Sequence, residues 1–515
     1  MIMQSTGRHS IAIGLILAVA ALAIFAQPAA AQPAAPGAAA ATANQPTPQQ
    51  QVAEFLLSSI NPGNEAARYT DVMDAITRAL NNDGAGAQAL LEKAAKNNPK
   101  LPPSEVMIAR LLLRLGQPAP GRVELEKAVV AHPKDPEAYL LFAEGALQDN
   151  RITDAAALLS TVQPLIKDYS ESPKRKNYFD SHLAADLTAV AVARAAAGAA
   201  EQWDTAVERA KEWVKADPDS AQAHQQLGRA LFKQMQPNYA QNALNEFQKA
   251  AEKDKNATHP YIILAQLYQE AGKDKDAETS IKYALDARQG GKDLNVNLQA
   301  ANWALSTSTQ ENKRLDDAQK YADSAMQIDP KSLEAKVLRA VIARLKGDLT
   351  TAEKLLKDAV DEAPGNIAAN NQLALVLVEL AEQKKDPAKL NQAKQYAENN
   401  VLRTTQGNQF NPEVFATYAW VLYKNGEKDK AGPYLDKVLQ TQRLTPDMAY
   451  YVGKILQDSG KTDQAIQFLE SAVKTAAPFA QRDASNKLLA ELQKQKEKDD
   501  KDKKGTEPTS APASK

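Results

Sequence analysis

The chain repeats itself with a period of 34 residues over most of its length. Pro412 and Pro446 are separated by this interval, and so are Gly426 and Gly460. The same interval separates the pairs Ala243–Ala277, Ala318–Ala352, Ala325–Ala359, Pro330–Pro364 and Ala431–Ala465. A period of this length indicates a stack of helix–turn–helix units that bury their apolar faces on one another, rather than one compact core. The sequence therefore predicts an all-α repeat array.

One unit shows the physical basis of the period. Leu333–Lys346 and Thr350–Glu362 are predicted helices, separated by a turn at Gly347. Glycine just past a helix end accommodates the left-handed backbone conformation that such ends adopt. Small Ala340 in the first helix is expected to face Ala352 in the second, because alanine lets two helix axes approach closely.

These residues resemble the tetratricopeptide repeat family, whose unit is a 34-residue pair of antiparallel helices with small residues at the close contacts. The resemblance covers roughly residues 65–477 and is strongest in the units that begin at Pro102, Pro136, Thr258, Leu333, Pro412 and Pro446. It is weak over residues 177–219, and the units near Pro237, over residues 293–332 and over residues 367–411 carry extra residues. The resemblance implies a right-handed α-solenoid of about eleven helix–turn–helix repeats. It also implies that the first helix of each pair lines a concave face where peptides or partner helices lie.

The two ends of the chain differ from the repeats. An apolar run over Ile11–Ala26 follows Arg8, and small residues precede Gln32, which is the layout of a secretory signal peptide. We expect a signal peptide (1–31), an Ala/Pro/Gln-rich disordered linker (32–50), an N-terminal helix (51–64), the repeat array (65–479), a C-terminal capping helix (480–497) and a disordered charged tail (498–515). The protein is then periplasmic or secreted, without a transmembrane span after signal removal; the alternative is an inner-membrane protein anchored by an uncleaved signal.

Composition argues against most kinds of chemistry. The absence of cysteine excludes disulfides, thiol catalysis and cysteine-bound zinc. The 62 basic and 63 acidic residues nearly cancel, so no chain-wide field favours nucleic acid. The five histidines lack metal-like spacing, and no nucleophile elbow or dinucleotide fingerprint occurs. We therefore expect no enzymatic activity, no cofactor, no metal and no nucleic acid, although a carboxylate pair facing one cleft cannot be read from sequence.

The predicted partner-binding residues lie on the first helices of their units. They are Arg110, Arg114, Arg229, Phe232, Lys233, Trp420, Tyr423, Lys424, Tyr450 and Lys454. Aromatic rings next to cations are typical of interaction hot spots, but Trp420 and Tyr423 could equally pack between repeats. The predicted function is a non-enzymatic protein–protein interaction scaffold of the bacterial cell envelope that binds peptide segments or helices of other proteins, in envelope assembly, secretion or polysaccharide export. The alternative is a module for a non-protein ligand such as a glycan, and nothing indicates the oligomeric state.

Overall fold

The computed structural model describes residues 47–60, 63–198, 202–286, 291–309, 314–406, 410–441 and 444–505. Throughout these ranges the regular secondary structure is helical, and they contain no strand. None of the helices described is both long and apolar enough to cross a bilayer. The predicted signal peptide, residues 32–46 of the predicted linker and residues 506–515 of the predicted tail lie outside the described residues.

The described helices follow one another as a lead helix, eleven pairs and a final helix. The lead helix is α1 (Pro48–Leu56), and short 3₁₀ turns follow at Ser58–Ile60 and Gly63–Arg68. The pairs are α2 (Thr70–Leu80) with α3 (Gly84–Asn97), α4 (Ser104–Arg114) with α5 (Pro118–Ala131), α6 (Glu137–Gln148) with α7 (Ile152–Asp168), α8 (Pro173–Ala197) with α9 (Gln202–Ala216), α10 (Ala221–Gln234) with α11 (Tyr239–Lys253), α12 (Pro260–Glu270) with α13 (Asp274–Leu285), α14 (Leu294–Ser306) with α15 (Leu315–Ile328), α16 (Leu333–Leu345) with α17 (Leu349–Glu362), α18 (Ile367–Lys384) with α19 (Pro387–Gln406), α20 (Pro412–Lys424) with α21 (Lys428–Leu439), and α22 (Pro446–Asp458) with α23 (Thr462–Lys474). The final helix is α24 (Arg482–Gly505). The prediction of an all-α repeat array is confirmed.

The helices form two compact units, which we call the N-terminal unit and the C-terminal unit. Among the described residues, the N-terminal unit runs to Ala277 and the C-terminal unit begins at Glu278, so the division falls within α13. Each unit has its own buried apolar clusters, built where the first and second helices of a pair meet. The two units are described separately below.

The turns inside the pairs have the predicted backbone conformation. Gly347, between α16 and α17, has φ +80°, and Asn150 occupies the equivalent turn between α6 and α7 with φ +57°. Glycine adopts this left-handed region without cost, and asparagine is one of the few other residues that tolerate it. Glycine or asparagine therefore recurs at intervals of 34 residues, at the turn where the first helix of a pair ends and the chain reverses its direction.

The small residues lie where helices approach most closely. Ala340 of α16 and Ala352 of α17 are both completely buried, as predicted. Gly228 of α10 marks a close approach, because a Cβ atom there would come within 2.4 Å of the Phe247 ring and 3.0 Å of the Ala243 carbonyl oxygen. Real Cβ atoms do not approach so closely, so this crossing of α10 and α11 requires glycine.

Both ends of the array are closed by additional helices. At the front, Leu56 and Leu57 are completely buried and share a core with Ile76 and Met107. This helix begins at Pro48, three residues before the predicted boundary, because Thr47 and Gln50 form a capping box. At the back, α24 buries Leu492 against the last pair but continues to Gly505, beyond the predicted boundary at 497.

Candidate functional site

Within each unit, several first helices of neighbouring pairs contact one another and form a shared surface. In the N-terminal unit α6 contacts α8 and α8 contacts α10, and in the C-terminal unit α16, α18, α20 and α22 follow in the same way. We call the surface that these helices form, on the side away from their second helices, the first-helix face. It is the surface where the resemblance implies that partners bind, so each predicted site residue is placed relative to it.

Curvature of this face is visible in a single contact of the C-terminal unit. Arg344 of α16 donates a hydrogen bond from Nη2 to Tyr451 Oη of α22, at 3.2 Å. These helices are three pairs apart, and packed helix axes lie about 8–10 Å from one another, so a flat row would separate them by about 25–30 Å. Two side chains cannot span that distance. The first-helix face of the C-terminal unit is therefore concave.

A buried ionic network crosses the first-helix face of the N-terminal unit. Arg110 Nε donates to Glu137 Oε1 at 3.1 Å, and Arg175 Nη2 donates to Glu137 Oε2 at 2.8 Å. Burial acts to raise the pKa of Glu137, but the two guanidinium groups outweigh it and hold the pKa below its usual value. Asp135 Oδ2 lies 2.7 Å from Arg175 Nη2, so two arginines and two carboxylates balance one another inside the protein.

Arg110 also binds a segment from outside the repeats. Its Nη1 donates to the backbone carbonyl of Phe55 at 3.2 Å and to Ser58 Oγ at 2.8 Å, and its Nη2 donates to Tyr178 Oη at 2.7 Å. Only 2% of Arg110 is exposed. The prediction that Arg110 contacts an external partner is thereby corrected, because the chain's own N-terminal segment covers it.

Phe232 is a second predicted site residue that a partner cannot reach. Its ring is 1% exposed and makes edge contacts with Tyr239 and Tyr268, at 5.0 and 5.2 Å between centroids. It belongs to the core between α10, α11 and α12. Phe232 follows another apolar residue, Leu231, within α10. Its position in the repeat therefore did not show whether it lies on the first-helix face or in the core between α10 and α11.

Arg229 and Lys233 of α10 do reach the first-helix face. Arg229 is half-buried, and burial lowers its pKa while the carboxylate of Glu270 acts in the opposite direction. Arg229 makes no hydrogen bond or ion pair with any described residue, whereas Lys233 Nζ lies 2.8 Å from Glu270 Oε2. Arg114, at the end of α4, is exposed. Arg229 is thus an unpaired cation on the surface that a partner would contact.

An acidic group on α8 was not foreseen from the sequence. Asp186 is 8% exposed, its Oδ2 atom is enclosed, and it accepts no hydrogen bond from any described residue. Burial raises the pKa of Asp186 to about 8, and the negative charge of Glu144 acts in the same direction. Glu144 of α6 in turn lies 2.8 Å from Nδ1 of His182, one turn before Asp186. The described residues, these included, contain no cluster of histidine and acidic side chains that could hold a metal ion.

The aromatic residues predicted as a partner-binding patch pack on one another instead. Trp420 is 2% exposed and stacks on Tyr423 and Tyr451, with ring centroids 5.4 and 4.6 Å away. The Tyr450 ring meets Trp420 edge-on at 5.6 Å. The rings therefore join α20 to α22, which is the packing alternative considered above, and their faces are not free to bind a ligand.

The two lysines of that predicted patch have partners inside the chain. Lys424 Nζ lies 4.4 Å from the Trp420 ring centroid and pairs with Glu382. Lys454 Nζ lies 3.0 Å from Asp458 Oδ1, and both side chains are about three-quarters buried. These lysines reach the surface, but their charges are already compensated.

The C-terminal unit has its own buried ion pair. Arg344 Nη2 donates to Glu379 Oε1 at 2.7 Å, and Gln481 Nε2, just before α24, donates to the same oxygen at 2.9 Å. Arg344 is 6% exposed. Each unit thus has an arginine on a first helix that bonds a glutamate and a tyrosine of other first helices.

Models of a known repeat family match two parts of the sequence. A sequence model described as "Tetratricopeptide repeat" matches residues 310–371, and a second model with the same description matches residues 106–169. No curated protein matches the sequence significantly. Among solved structures, a tetratricopeptide repeat protein from Parabacteroides merdae aligns at 13% identity over 53% of this chain and 99% of its own, with a TM-score of 0.37. A thermophilic tetratricopeptide repeat protein of Thermus thermophilus aligns at 18% identity over 38% of this chain and 98% of its own, with a TM-score of 0.31.

Proposed function

The chain is a tetratricopeptide repeat protein, and on that premise we propose that it is a non-enzymatic scaffold that binds segments of partner proteins on the first-helix face of its N-terminal unit. One observation carries this proposal. Arg110 of α4 binds the backbone carbonyl of Phe55 and the hydroxyl of Ser58, both from a segment outside the repeats. The face therefore offers side chains that hold polypeptide through its backbone.

The same face continues on α6, α8 and α10. There Arg229 and Asp186 make no hydrogen bond or ion pair with other described residues. A partly buried arginine that has no bonded carboxylate, such as Arg229, gains from a negative charge brought by a partner. We therefore place the binding face in the N-terminal unit, because Lys424 and Lys454 of the predicted C-terminal patch already have carboxylate partners.

The glycan alternative has less support. Sugar recognition by stacking requires an exposed aromatic face, whereas Trp420 is 2% exposed and Tyr450 is 8% exposed. Their ring faces contact other rings. A protein partner is therefore the proposed ligand.

We further propose that the protein works in the bacterial cell envelope, in assembly, secretion or polysaccharide export. This proposal depends on the signal-like sequence over residues 1–31. Mass spectrometry of the protein from its native host tests it. A mature N-terminus at Gln32 supports a periplasmic or secreted protein; an intact signal in the membrane fraction supports the anchored alternative; an intact Met1 in the cytosol contradicts export.

Affinity capture with charge-matched variants tests the binding face. The variant R229Q/K233Q removes two cations from the first-helix face, and the control K211Q/K249Q removes two cations from second helices α9 and α11. Lys211 and Lys249 are about half exposed and pair only with glutamates three residues earlier. The wild type and the control should retain a stoichiometric protein partner that R229Q/K233Q loses. Equal retention by all three proteins would exclude this face.

A further inference from the structure

An aromatic groove, which we call the α21 groove, lies beside second helix α21 in the C-terminal unit. It contains a cavity of about 380 Å³. The described residues that line this cavity are two aromatic residues, two other apolar residues and two lysines, without an acidic residue: Tyr418, Leu422, Lys430, Pro433, Tyr434 and Lys437. Rings next to cations are typical of surfaces that bind other proteins.

The rings of the α21 groove extend to the protein surface. Tyr434, which is half-buried, meets the Tyr418 ring edge-on at 4.8 Å between centroids and lies 5.9 Å from the Phe415 ring. The Phe415 ring in turn lies 5.0 Å from the ring of Phe410, and 49% of Phe410 is exposed. The groove therefore continues into exposed apolar area that a partner can bury.

The corresponding groove of the N-terminal unit shows that the repeat does not require this lining. The two grooves can be matched from the completely buried alanine of each second helix, Ala243 in α11 and Ala431 in α21. Three residues after this alanine, α11 has Glu246 where α21 has Tyr434, and six residues after it both helices have a lysine. The cavity beside α11 is lined by Leu231 and otherwise by polar side chains. An aromatic ring at Tyr434 is therefore not needed for the helices to pack.

The same difference leaves Lys437 without a carboxylate. In α11, Lys249 Nζ lies 2.7 Å from Oε1 of Glu246, three residues earlier. In α21 that position is Tyr434, and Lys437 makes no hydrogen bond or ion pair with any described residue. The Lys437 Nζ atom lies 5.2 Å from the centroid of the Phe415 ring instead. The α21 groove thus has an exposed cation beside its rings that is not compensated by a bonded acid.

The other lysine of the groove is already paired. Lys430 Nζ lies 2.7 Å from Glu427 Oε2. Lys437 is therefore the cation that a negative charge on a partner would bind.

We propose that the α21 groove is an additional docking surface, which binds a segment of a partner protein through one apolar side chain and a neighbouring carboxylate. The apolar side chain fills the cavity against Tyr418 and Tyr434, and the carboxylate pairs with Lys437. The α21 groove belongs to the C-terminal unit, so it binds independently of the first-helix face that carries Arg229 and Lys233.

Two capped dipeptides probe the groove without knowledge of the partner. We would titrate Nα-acetyl-phenylalanyl-glutamate α-amide into the full chain labelled with 3-fluorotyrosine. The fluorine resonances of Tyr418 and Tyr434, assigned with Y418F and Y434F, report binding. The control ligand, Nα-acetyl-phenylalanyl-glutamine amide, differs only in lacking the charge. Saturable shifts with dissociation constants on the order of millimolar are expected for such small ligands. The glutamate ligand should bind about threefold more tightly than the glutamine ligand.

Variants of the two second helices connect the shifts to the groove. K437Q should remove the preference for the glutamate ligand, whereas K249Q removes the equivalent lysine of α11 and should leave binding unchanged. Y434E gives α21 the glutamate that α11 has at this position. It removes a ring and provides Lys437 with a carboxylate, so the Tyr418 resonance should no longer shift. Because Lys437 is exposed, K437Q keeps the test valid if Y434E unfolds.

Three results of the titration would overturn the proposal: equal affinity for the two ligands, equal preference for the glutamate ligand in wild type and K437Q, or no shift of either tyrosine. Sedimentation of the wild type and of Y434E tests the other occupant, a second copy of this chain. A dimer that Y434E dissociates would also overturn the proposal, whereas a monomeric wild type supports a different protein as the partner. R229Q/K233Q should retain the shifts, so failure of the proposed function leaves this test unaffected.

Discussion

Arg344 Nη2 and Tyr451 Oη are 3.2 Å apart although 107 residues separate them in the sequence. The N-terminal unit contains a parallel bond between Arg110 and Tyr178, at 2.7 Å across 68 residues. In an ordinary repeat array each pair contacts only its neighbours, so stability is a sum of local contributions. These two bonds connect first helices two or three pairs apart. We therefore expect each unit to unfold more cooperatively than a simple repeat array.

Removing Arg344 should destabilise the C-terminal unit strongly. R344M leaves the Glu379 carboxylate buried without its cation, which costs about 3–5 kcal/mol of unfolding free energy. The double variant R344M/E379M removes both charges of this pair and should regain only part of this loss, because Asp447, 3.9 Å from Arg344 Nη1, also loses its cation. Urea unfolding followed by circular dichroism measures both.

A matched control for this prediction is R339M. Arg339 also forms an ion pair, 2.6 Å from Asp323, but 43% of the Asp323 side chain is exposed. Its loss should cost less than about 1 kcal/mol. Equal unfolding free energies of R344M and R339M would show that the buried ion pair contributes no more to stability than the partly exposed one.

Enlarging Gly228 should separate α10 from α11. In G228A the new methyl group would meet the Phe247 ring at 2.4 Å and the Ala243 carbonyl oxygen at 3.0 Å, so the helices must shift, at a cost of about 1–3 kcal/mol. G145A in α6 is the control, because nothing lies within 4 Å of its new methyl group. Alanine favours helix over glycine by about 0.5–1 kcal/mol, so G145A should be as stable as the wild type or slightly more stable. Thermal melts of both variants test whether G228A lowers the melting temperature while G145A leaves it unchanged or raises it.

Asp186 should make stability depend on pH in a direction unusual for a carboxylate. Its pKa is about 8 in the folded protein and 3.8 without the fold, so the folded state retains a proton that the unfolded state releases between these values. The stability that Asp186 contributes is therefore greatest near pH 4, falls as the pH rises, and levels off above pH 8. The asparagine of D186N does not titrate, so the melting temperature of this variant should rise relative to that of the wild type by several degrees from pH 5 to pH 9. A difference that is constant with pH would contradict the burial described for Asp186.

Tyr450 and Lys454, two residues of the predicted partner-binding patch, should contribute differently to stability. Y450A removes a ring that is 8% exposed and contacts Trp420, so we expect a loss of about 3 kcal/mol. K454A breaks a pair with Asp458 near the surface and should change stability by less than about 1 kcal/mol. If Tyr450 and Lys454 were both exposed partner-binding residues, as the sequence predicts, neither change would alter the melting point much. Melting curves that do not distinguish the two variants would restore that expectation for Tyr450.

The repeats could be predicted from sequence because local physics places their markers. Gly347 must adopt a left-handed conformation, and Ala340 must be small where two helices of one pair cross. Both requirements recur every 34 residues and leave a periodic record. The unit over residues 177–219 left a weaker record, because its first helix, α8, is 25 residues long and buries Arg175 and Asp186 among its apolar residues. Buried charges remove the amphipathic pattern on which the prediction relies.

The site could be predicted only in part. Arg229 and Lys233 lie on the expected face, but the position of Arg110 depends on the segment at Phe55, which folds over α4 and α8. No periodic pattern reports such a contact between distant residues. The acidic pair of Glu144 and Asp186 was missed for the same reason, since two acids 42 residues apart are ordinary surface residues until the helices that carry them meet.

Site-specific photocrosslinking in the native host tests the central claim most directly. A benzophenone amino acid in place of Lys233 lies on the first-helix face, and the same residue in place of Lys249 lies on second helix α11. We predict that the first position forms an adduct of one defined mass with a partner protein and that the second does not. An adduct from Lys249 alone, or no adduct from the Lys233 position, would contradict binding on the first-helix face.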